Sequence, residues 1–128
     1  MSKKILMIDD DPDFIDAVQT LLESKGYAVV TASDGQEGIA KAKKEKPDLI
    51  TLDVMMTNDS EGLDVSKKFK QDKDLNKIPI IIVSGVKKIG DAAYNYETGE
   101  KLIPAKAFVE KPIEPEKFLK IIEKHISK

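Results

Sequence analysis

The stretch Pro47–Met56 (PDLITLDVMM) is a short apolar segment that leads into a carboxylate. Its run Leu49–Leu52 is apolar and β-branched, as is typical of a strand buried on both faces of a parallel sheet. Asp53 follows that run directly. Open α/β sheets bind their ligands at the carboxyl ends of their strands, although an Asp after a strand is also a common turn residue. Asp53 is therefore a candidate functional residue that needs support from the rest of the chain.

The composition is that of one globular domain without thiol chemistry. The chain has 128 residues, of which 41% are apolar and 34% are charged, so we expect residues 1–128 to form a single domain. There are 21 basic and 23 acidic residues, and this near balance argues against direct nucleic-acid binding driven by bulk charge. The absence of Cys excludes disulfides, thiolate metal sites and thiol nucleophiles. We find no signal peptide or membrane span, and we expect a cytoplasmic protein.

Strands and helices alternate along the sequence. Pro12 opens a helix that Asp11 caps and whose apolar face begins at Phe14, and Asp34 with Glu37 predicts a capping box for the next helix. Repeated βα units with short connections predict a doubly wound five-stranded parallel sheet with helices on both faces. The predicted strands are Lys4–Ile8, Tyr27–Thr31, Leu49–Leu52, Pro79–Ser84 and Ala107–Glu110, and the predicted helices are Pro12–Lys25, one after Asp34, Leu63–Gln71, a short one around Ala92–Tyr96, and one from Pro115.

Polar side chains stand at the ends of these strands. Strand one is followed by Asp9 and Asp10, strand three by Asp53, and strand five by Lys111, while strand four ends in Ser84. Because parallel strands all point the same way, we expect these groups to meet at one edge of the sheet. Crowded carboxylates repel one another, and a divalent cation offsets that repulsion. All-oxygen ligands favour Mg²⁺ or Ca²⁺ over zinc, and because few protein ligands leave open positions, we expect Mg²⁺ (or Mn²⁺). A carboxylate in such a site is suited to attack a phosphoryl group.

Four stretches of the chain resemble the response-regulator receiver family, the phospho-acceptor domains of two-component signalling. They are ILMIDDDPDF, PDLITLDVMM, IPIIIVSG and AFVEKP, in the family's order. The resemblance implies a flavodoxin-like sheet with strand order 2-1-3-4-5. It also implies a stand-alone switch that is not a conventional enzyme and that accepts phosphoryl from a histidine kinase or phosphotransfer protein. Its output protein is unknown.

The resemblance assigns a role to each site residue. Asp53 is implied to be the phosphorylated residue, and the metal ligands are implied to be Asp9, Asp10, Asp53 and the backbone carbonyl of Met55. Three further residues match the family's phosphoryl contacts and switch, namely Ser84, Lys111 and Phe108. For Phe108, a core aromatic on the fifth strand is an equally good interpretation.

The sequence departs from the family pattern in two segments. Thr57 stands where the family usually has Pro, and the polar loop Thr57–Gly62 is longer by a residue. Val86–Pro104 is also longer than usual, and Pro104-Ala105 stands where Gly-Ala is common. The sequence therefore leaves open which partner these two segments contact.

Three alternatives compete with a phosphorylated receiver. One is a degenerate receiver that binds proteins without phosphorylation. A phosphatase of the haloacid-dehalogenase type would need an acid two positions after its nucleophile, where this chain has Met55. A flavodoxin-like FMN binder would need a Ser/Thr/Gly-rich loop where this chain has Asp9–Asp11.

Overall fold

The predicted alternation of strands and helices is present in the computed structural model, which describes residues 3–53, 61–84, 94–95, 100–101 and 106–126. Seven strands and four helices occur in these residues. In chain order they are β1 (Lys4–Ile8), α1 (Pro12–Ser24), β2 (Ala28–Ala32), α2 (Gly35–Glu45), β3 (Leu49–Leu52), α3 (Glu61–Gln71), β4 (Ile80–Ser84), β5 (Tyr94–Asn95), β6 (Glu100–Lys101), β7 (Ala107–Glu110) and α4 (Pro115–His125).

Five of the strands form one parallel sheet in the order β2-β1-β3-β4-β7. Counting only the strands of this sheet, the order is 2-1-3-4-5, which confirms the predicted fold class. The chain adds strands first to one side of β1 and then to the other. A cleft at the carboxyl ends of β1 and β3 follows from that reversal of direction.

The helix starts follow the predicted capping chemistry. The Asp11 side chain accepts hydrogen bonds from the backbone N–H groups of Asp13 and Phe14, at 3.1 and 3.3 Å. Asp34 accepts one from the N–H of Glu37 at 2.8 Å. The Glu37 carboxylate itself lies 3.4 Å from Lys41 Nζ, one turn further along the helix. Caps of this kind satisfy N–H groups that the first helical turn leaves without partners.

The core lies on both faces of the sheet. Side chains alternate along β1, so that Leu6 and Ile8 pack with residues of α2 and α3, while Ile5 and Met7 pack with residues of α1 and α4. All four residues of β3 are buried, as expected for a central parallel strand. The strands that lead to the carboxyl edge are therefore packed against helices on both faces of the sheet.

Several predicted bounds differ from the structure by one residue, and two predictions are wrong by more than that. Helix α3 begins at Glu61, so the last residues of the predicted loop belong to the helix, where an acidic side chain at the first turn is favoured by the helix dipole. The short helix predicted around Ala92–Tyr96 is contradicted at Tyr94, because Tyr94–Asn95 pairs with Glu100–Lys101 as an antiparallel ladder. Aromatic residues favour extended backbone, and this preference prevails here over the weak helical pattern.

The amino end of the sheet is fixed by hydrogen bonds from Lys4. Its backbone N–H donates to Asp48 Oδ2 at 2.8 Å, and its ammonium donates to Glu45 Oε1 at 3.0 Å. These contacts tie β1 to the end of α2 and the start of β3. In the described ranges, no helix has the length and apolar character needed to cross a bilayer.

Gly38 brings α2 close to the carboxyl end of β1. A Cβ at this position would lie 2.8 Å from Ile8 Cγ1 and still closer to Ile8 Cδ1. We expect Gly38→Ala to lower the free energy of unfolding by about 1–3 kcal/mol through overpacking, despite the better helix propensity of Ala. Urea unfolding measures this change.

Ile8→Val provides the control, because it removes the methyl group nearest to the new Cβ. The double variant should lose less stability than the sum of the two single variants. Strict additivity would show that helix and strand do not meet at Gly38.

Candidate functional site

The strand register places Asp9 beside Asp53. Ile8 at the end of β1 pairs with Leu52 at the end of β3, so the next residues of both strands lie side by side. The Asp53 N–H donates to the carbonyl of Ile8 at 3.0 Å and thereby extends the ladder by one bond. On the other side, the Asp9 N–H donates to the carbonyl of Ala32, also at 3.0 Å. Backbone pairing thus fixes the backbone positions from which the two carboxylate side chains extend.

Both carboxylates are buried, although they stand at the edge of the sheet. Asp9 is 2% exposed and Asp53 is 6% exposed, whereas Asp10 is exposed. Asp9 Oδ1 accepts the N–H of Asp11 at 2.9 Å, which ties the carboxylate to the turn that starts α1. Buried carboxylates need such partners because burial removes their hydration.

Lys111 connects the two buried carboxylates. It follows β7, whose Glu110 pairs with Ser84, and β4 lies between β7 and β3. Its ammonium donates to Asp9 Oδ2 at 2.8 Å and to Asp53 Oδ2 at 3.1 Å. Of the five residues expected from the sequence at one edge of the sheet, the structure brings the side chains of Asp9, Asp10, Asp53 and Lys111 together.

Phe14 is a part of this site that the sequence analysis missed. The Lys111 ammonium lies 4.2 Å from the centroid of the Phe14 ring, within the range of a cation–π contact. From the sequence, Phe14 counts only as the first member of the apolar face of α1. The signal that would have identified Phe14 is an aromatic side chain in the first turn of a helix that begins beside a charged strand end.

The pKa values of Asp9 and Lys111 reflect burial and their mutual contact. Burial raises the pKa of the Asp9 carboxyl above 3.8, against the opposing effects of Lys111 and the Asp11 N–H. Burial alone would lower the pKa of the Lys111 ammonium, but its hydrogen bonds to Asp9 and Asp53 outweigh burial and raise that pKa above 10.5. The outcomes differ because the Asp9 side chain is 3% exposed and that of Lys111 is 19% exposed, so Asp9 loses more hydration. Lys111 is therefore charged at neutral pH.

Asp9, Asp10 and Asp53 form a group that could hold a metal ion. Each offers one carboxylate oxygen, and these oxygens all lie within 4.8 Å of one another. This spread is slightly more than twice a Mg–O bond of ~2.1 Å, and hard oxygen ligands are those that Mg²⁺ prefers. Among the described residues, these three carboxylates outnumber the Lys111 ammonium, and a divalent cation would offset the excess of negative charge.

The remaining predicted site residues are only partly described. Ser84 is the last residue of β4 and Phe108 lies in β7 opposite Ile82, so their backbones are placed at the expected strands. Their side chains lie outside the described part of the structure, as do Met55, Thr57 and most of the Val86–Pro104 segment.

A family model for the response regulator receiver domain matches residues 5–123. The chain belongs to the receiver family. PilH of Pseudomonas aeruginosa is 30% identical over 119 residues, with 93% of each chain covered. The transcriptional regulatory protein PhoP of Bacillus subtilis is 39% identical over 115 residues, which are 90% of this chain and 45% of PhoP. The chain thus spans less than half of PhoP and nearly all of PilH.

Solved receiver structures agree with the fold. The chemotaxis protein CheY4 of Vibrio cholerae superimposes with a TM-score of 0.84 at 28% identity, covering 98% of this chain and 100% of CheY4. Receivers are the signalling switches of two-component systems rather than conventional enzymes. Membership therefore favours a switch over the phosphatase and FMN-binding alternatives.

The contact between Lys111 and the two buried carboxylates can be tested by unfolding in urea with EDTA present. Lys111→Met removes the ammonium that Asp9 and Asp53 share, and we expect the free energy of unfolding to fall by about 3 kcal/mol, the lower end of the cost of breaking a buried ion pair, because the Lys111 side chain is 19% exposed. Adding Asp53→Asn to Lys111→Met should restore part of that loss, because one of the two repelling charges is removed.

Lys117→Met is the matched control, because Lys117 is exposed and pairs with Glu114 at 3.3 Å. It should change stability by less than about 0.5 kcal/mol. Equal effects of the two Lys→Met variants would contradict a special role for the Lys111 contact.

Proposed function

We propose that the chain is a phospho-accepting receiver. Asp53 takes a phosphoryl group from a histidine kinase or phosphotransfer protein, and phosphorylation changes the binding of an output protein. The observation that carries this proposal is the Asp53 carboxylate itself, which is 6% exposed, stands at the carboxyl edge of the sheet and contacts Lys111 at 3.1 Å. We also propose that residues 1–128 act as one receiver domain.

The proposed transfer is a displacement at phosphorus. An oxygen of the Asp53 carboxylate forms a bond to phosphorus as the bond between phosphorus and the donor's histidine nitrogen breaks. The imidazole leaves with the electron pair of that bond, and the product is an acyl phosphate. In the structure the Lys111 ammonium donates a hydrogen bond to Asp53 Oδ2 at 3.1 Å, and from there it can pair with an oxygen of the incoming phosphoryl group.

The donor set fits a divalent ion, and we propose Mg²⁺ or Mn²⁺. Asp9, Asp10 and Asp53 would hold it, together with the backbone carbonyl of Met55. When bound, such an ion supplies positive charge that reduces repulsion between the carboxylates and the incoming phosphoryl oxygens. The carboxylates themselves keep one ligand oxygen each within 4.8 Å of the others.

Two strand residues complete the proposal. We assign the Ser84 hydroxyl to contact with the phosphoryl group, because β4 ends between the strands that carry Asp53 and Lys111. We assign Phe108 to the change in partner binding, because β7 carries it on the edge strand of the sheet, three residues before Lys111. Both assignments agree with the family resemblance.

Intact-mass spectrometry after incubation with acetyl phosphate and Mg²⁺ tests the acceptor. The wild type should gain the mass of one phosphoryl group, and Asp53→Ala should gain none, since it lacks the attacking oxygen. Asp48→Asn is the matched control, because Asp48 stands at the other end of β3 and bonds to Lys4. It should be phosphorylated like the wild type.

Persistence of the mass gain in Asp53→Ala would contradict the assignment of Asp53. No gain in the wild type, either from acetyl phosphate or from a phosphorylated phosphotransfer protein, would favour the degenerate receiver that binds partners without phosphorylation.

Metal binding has a separate readout in thermal stability. At a Mg²⁺ concentration ten times its Kd, the free energy of unfolding should rise by about 1.4 kcal/mol, because the ion binds only the folded chain. Asp10→Asn should reduce this rise, whereas Asp48→Asn should not. An equal Mg²⁺ effect in both variants would contradict the proposed ligand set.

A further inference from the structure

The Lys111 ammonium is surrounded by three groups of different chemistry. Asp9 Oδ2 lies at 2.8 Å, Asp53 Oδ2 at 3.1 Å and the centroid of the Phe14 ring at 4.2 Å. An ammonium has three N–H donors and a flexible four-carbon stem. The two carboxylates accept two of these donors, and the ring face attracts the same positive charge from a third direction.

Phe14 is held in place by the turn that also holds Asp9. The Phe14 N–H donates to Asp11 Oδ1 at 3.3 Å, and the Asp11 N–H donates to Asp9 Oδ1 at 2.9 Å. Asp9 then accepts Lys111 through its other oxygen. The side chain of Phe14 is half-buried and packs against the core cluster shared by α1 and α4. The same turn therefore places both the Phe14 backbone and the Asp9 carboxylate beside Lys111.

We infer that Phe14 is a positioning residue for Lys111. Its ring keeps the ammonium at the carboxyl edge of β1 and β3 and limits the solvent-directed rotamers of the long side chain. A ring face attracts charge without a fixed acceptor direction. The ammonium therefore stays in place while its hydrogen-bond partner changes from the Asp53 carboxylate to a phosphoryl oxygen. For phosphoryl transfer this role depends on the proposed function, whereas the contact itself does not.

A plain packing role for Phe14 makes a different prediction. If the ring served only the core, any apolar side chain of similar size would replace it without effect on Lys111. If it positions Lys111, an aromatic replacement should preserve phosphorylation and an aliphatic one should not. Phe14→Tyr and Phe14→Leu separate these cases, and Ile15→Val is the matched control because Ile15 packs in the same cluster.

The first measurement is the rate constant of phosphorylation by acetyl phosphate with Mg²⁺. Phe14→Leu should slow it roughly 3- to 10-fold, the range expected for a partly desolvated cation–π contact. Phe14→Tyr and Ile15→Val should stay within about two-fold of the wild type. In a Lys111→Met background, Phe14→Leu should have no further effect, since the group that it positions is gone.

The second measurement is the NMR shift of the Lys111 ε-methylene protons, which does not require phosphorylation. The ring face should shift these protons upfield in the wild type and in Phe14→Tyr, and the shift should be lost in Phe14→Leu. An unchanged Lys111 spectrum in Phe14→Leu, together with an unchanged rate constant, would overturn the inference. If the wild type takes no phosphoryl group, the proposed function fails, and the NMR result alone decides the role of Phe14.

Discussion

The bridge that Lys111 makes between Asp9 and Asp53 is the interaction on which the site depends. Two buried carboxylates at neighbouring strand ends repel each other strongly where water is scarce. The parallel register of β1 and β3 forces them together, and the side chain that relieves the repulsion comes from the far edge of the sheet. The site is therefore complete only when β7, which leads directly into Lys111, is paired in the sheet.

The same bridge also bears on the charge balance of the site. Here the cation is shared between Asp9 and Asp53, and burial keeps the pKa of Asp9 raised despite that cation. Among the residues that the structure describes at this edge, the carboxylates of Asp9, Asp10 and Asp53 outnumber the Lys111 ammonium, which favours additional positive charge at this position.

Much of the fold could be predicted from the sequence because its signals are local. The apolar run of β3, the caps Asp11 and Asp34, and the strand-end carboxylates are read from neighbouring residues. The contact of Phe14 with Lys111 could not be predicted, since it joins residues 97 positions apart whose meeting depends on how α1 lies over β7. The predictions for the start of α3 and for the β5–β6 segment were also wrong, because the local sequence preferences there are weak. Helix electrostatics favour the start of α3 at Glu61, and strand pairing determines the β5–β6 ladder.

The hydrogen bonds of Lys4 at the amino end of the sheet have a mechanical consequence. They join β1 to Asp48 and Glu45 at the amino end of the sheet. The buried carboxylates of Asp9 and Asp53 lie at the opposite, carboxyl end. The end of the sheet at Lys4 is the fixed end, and the carboxyl edge is the end at which charge can change. The strands β1 and β3 are therefore held together by contacts that lie away from the site and do not depend on the charge at Asp9 and Asp53.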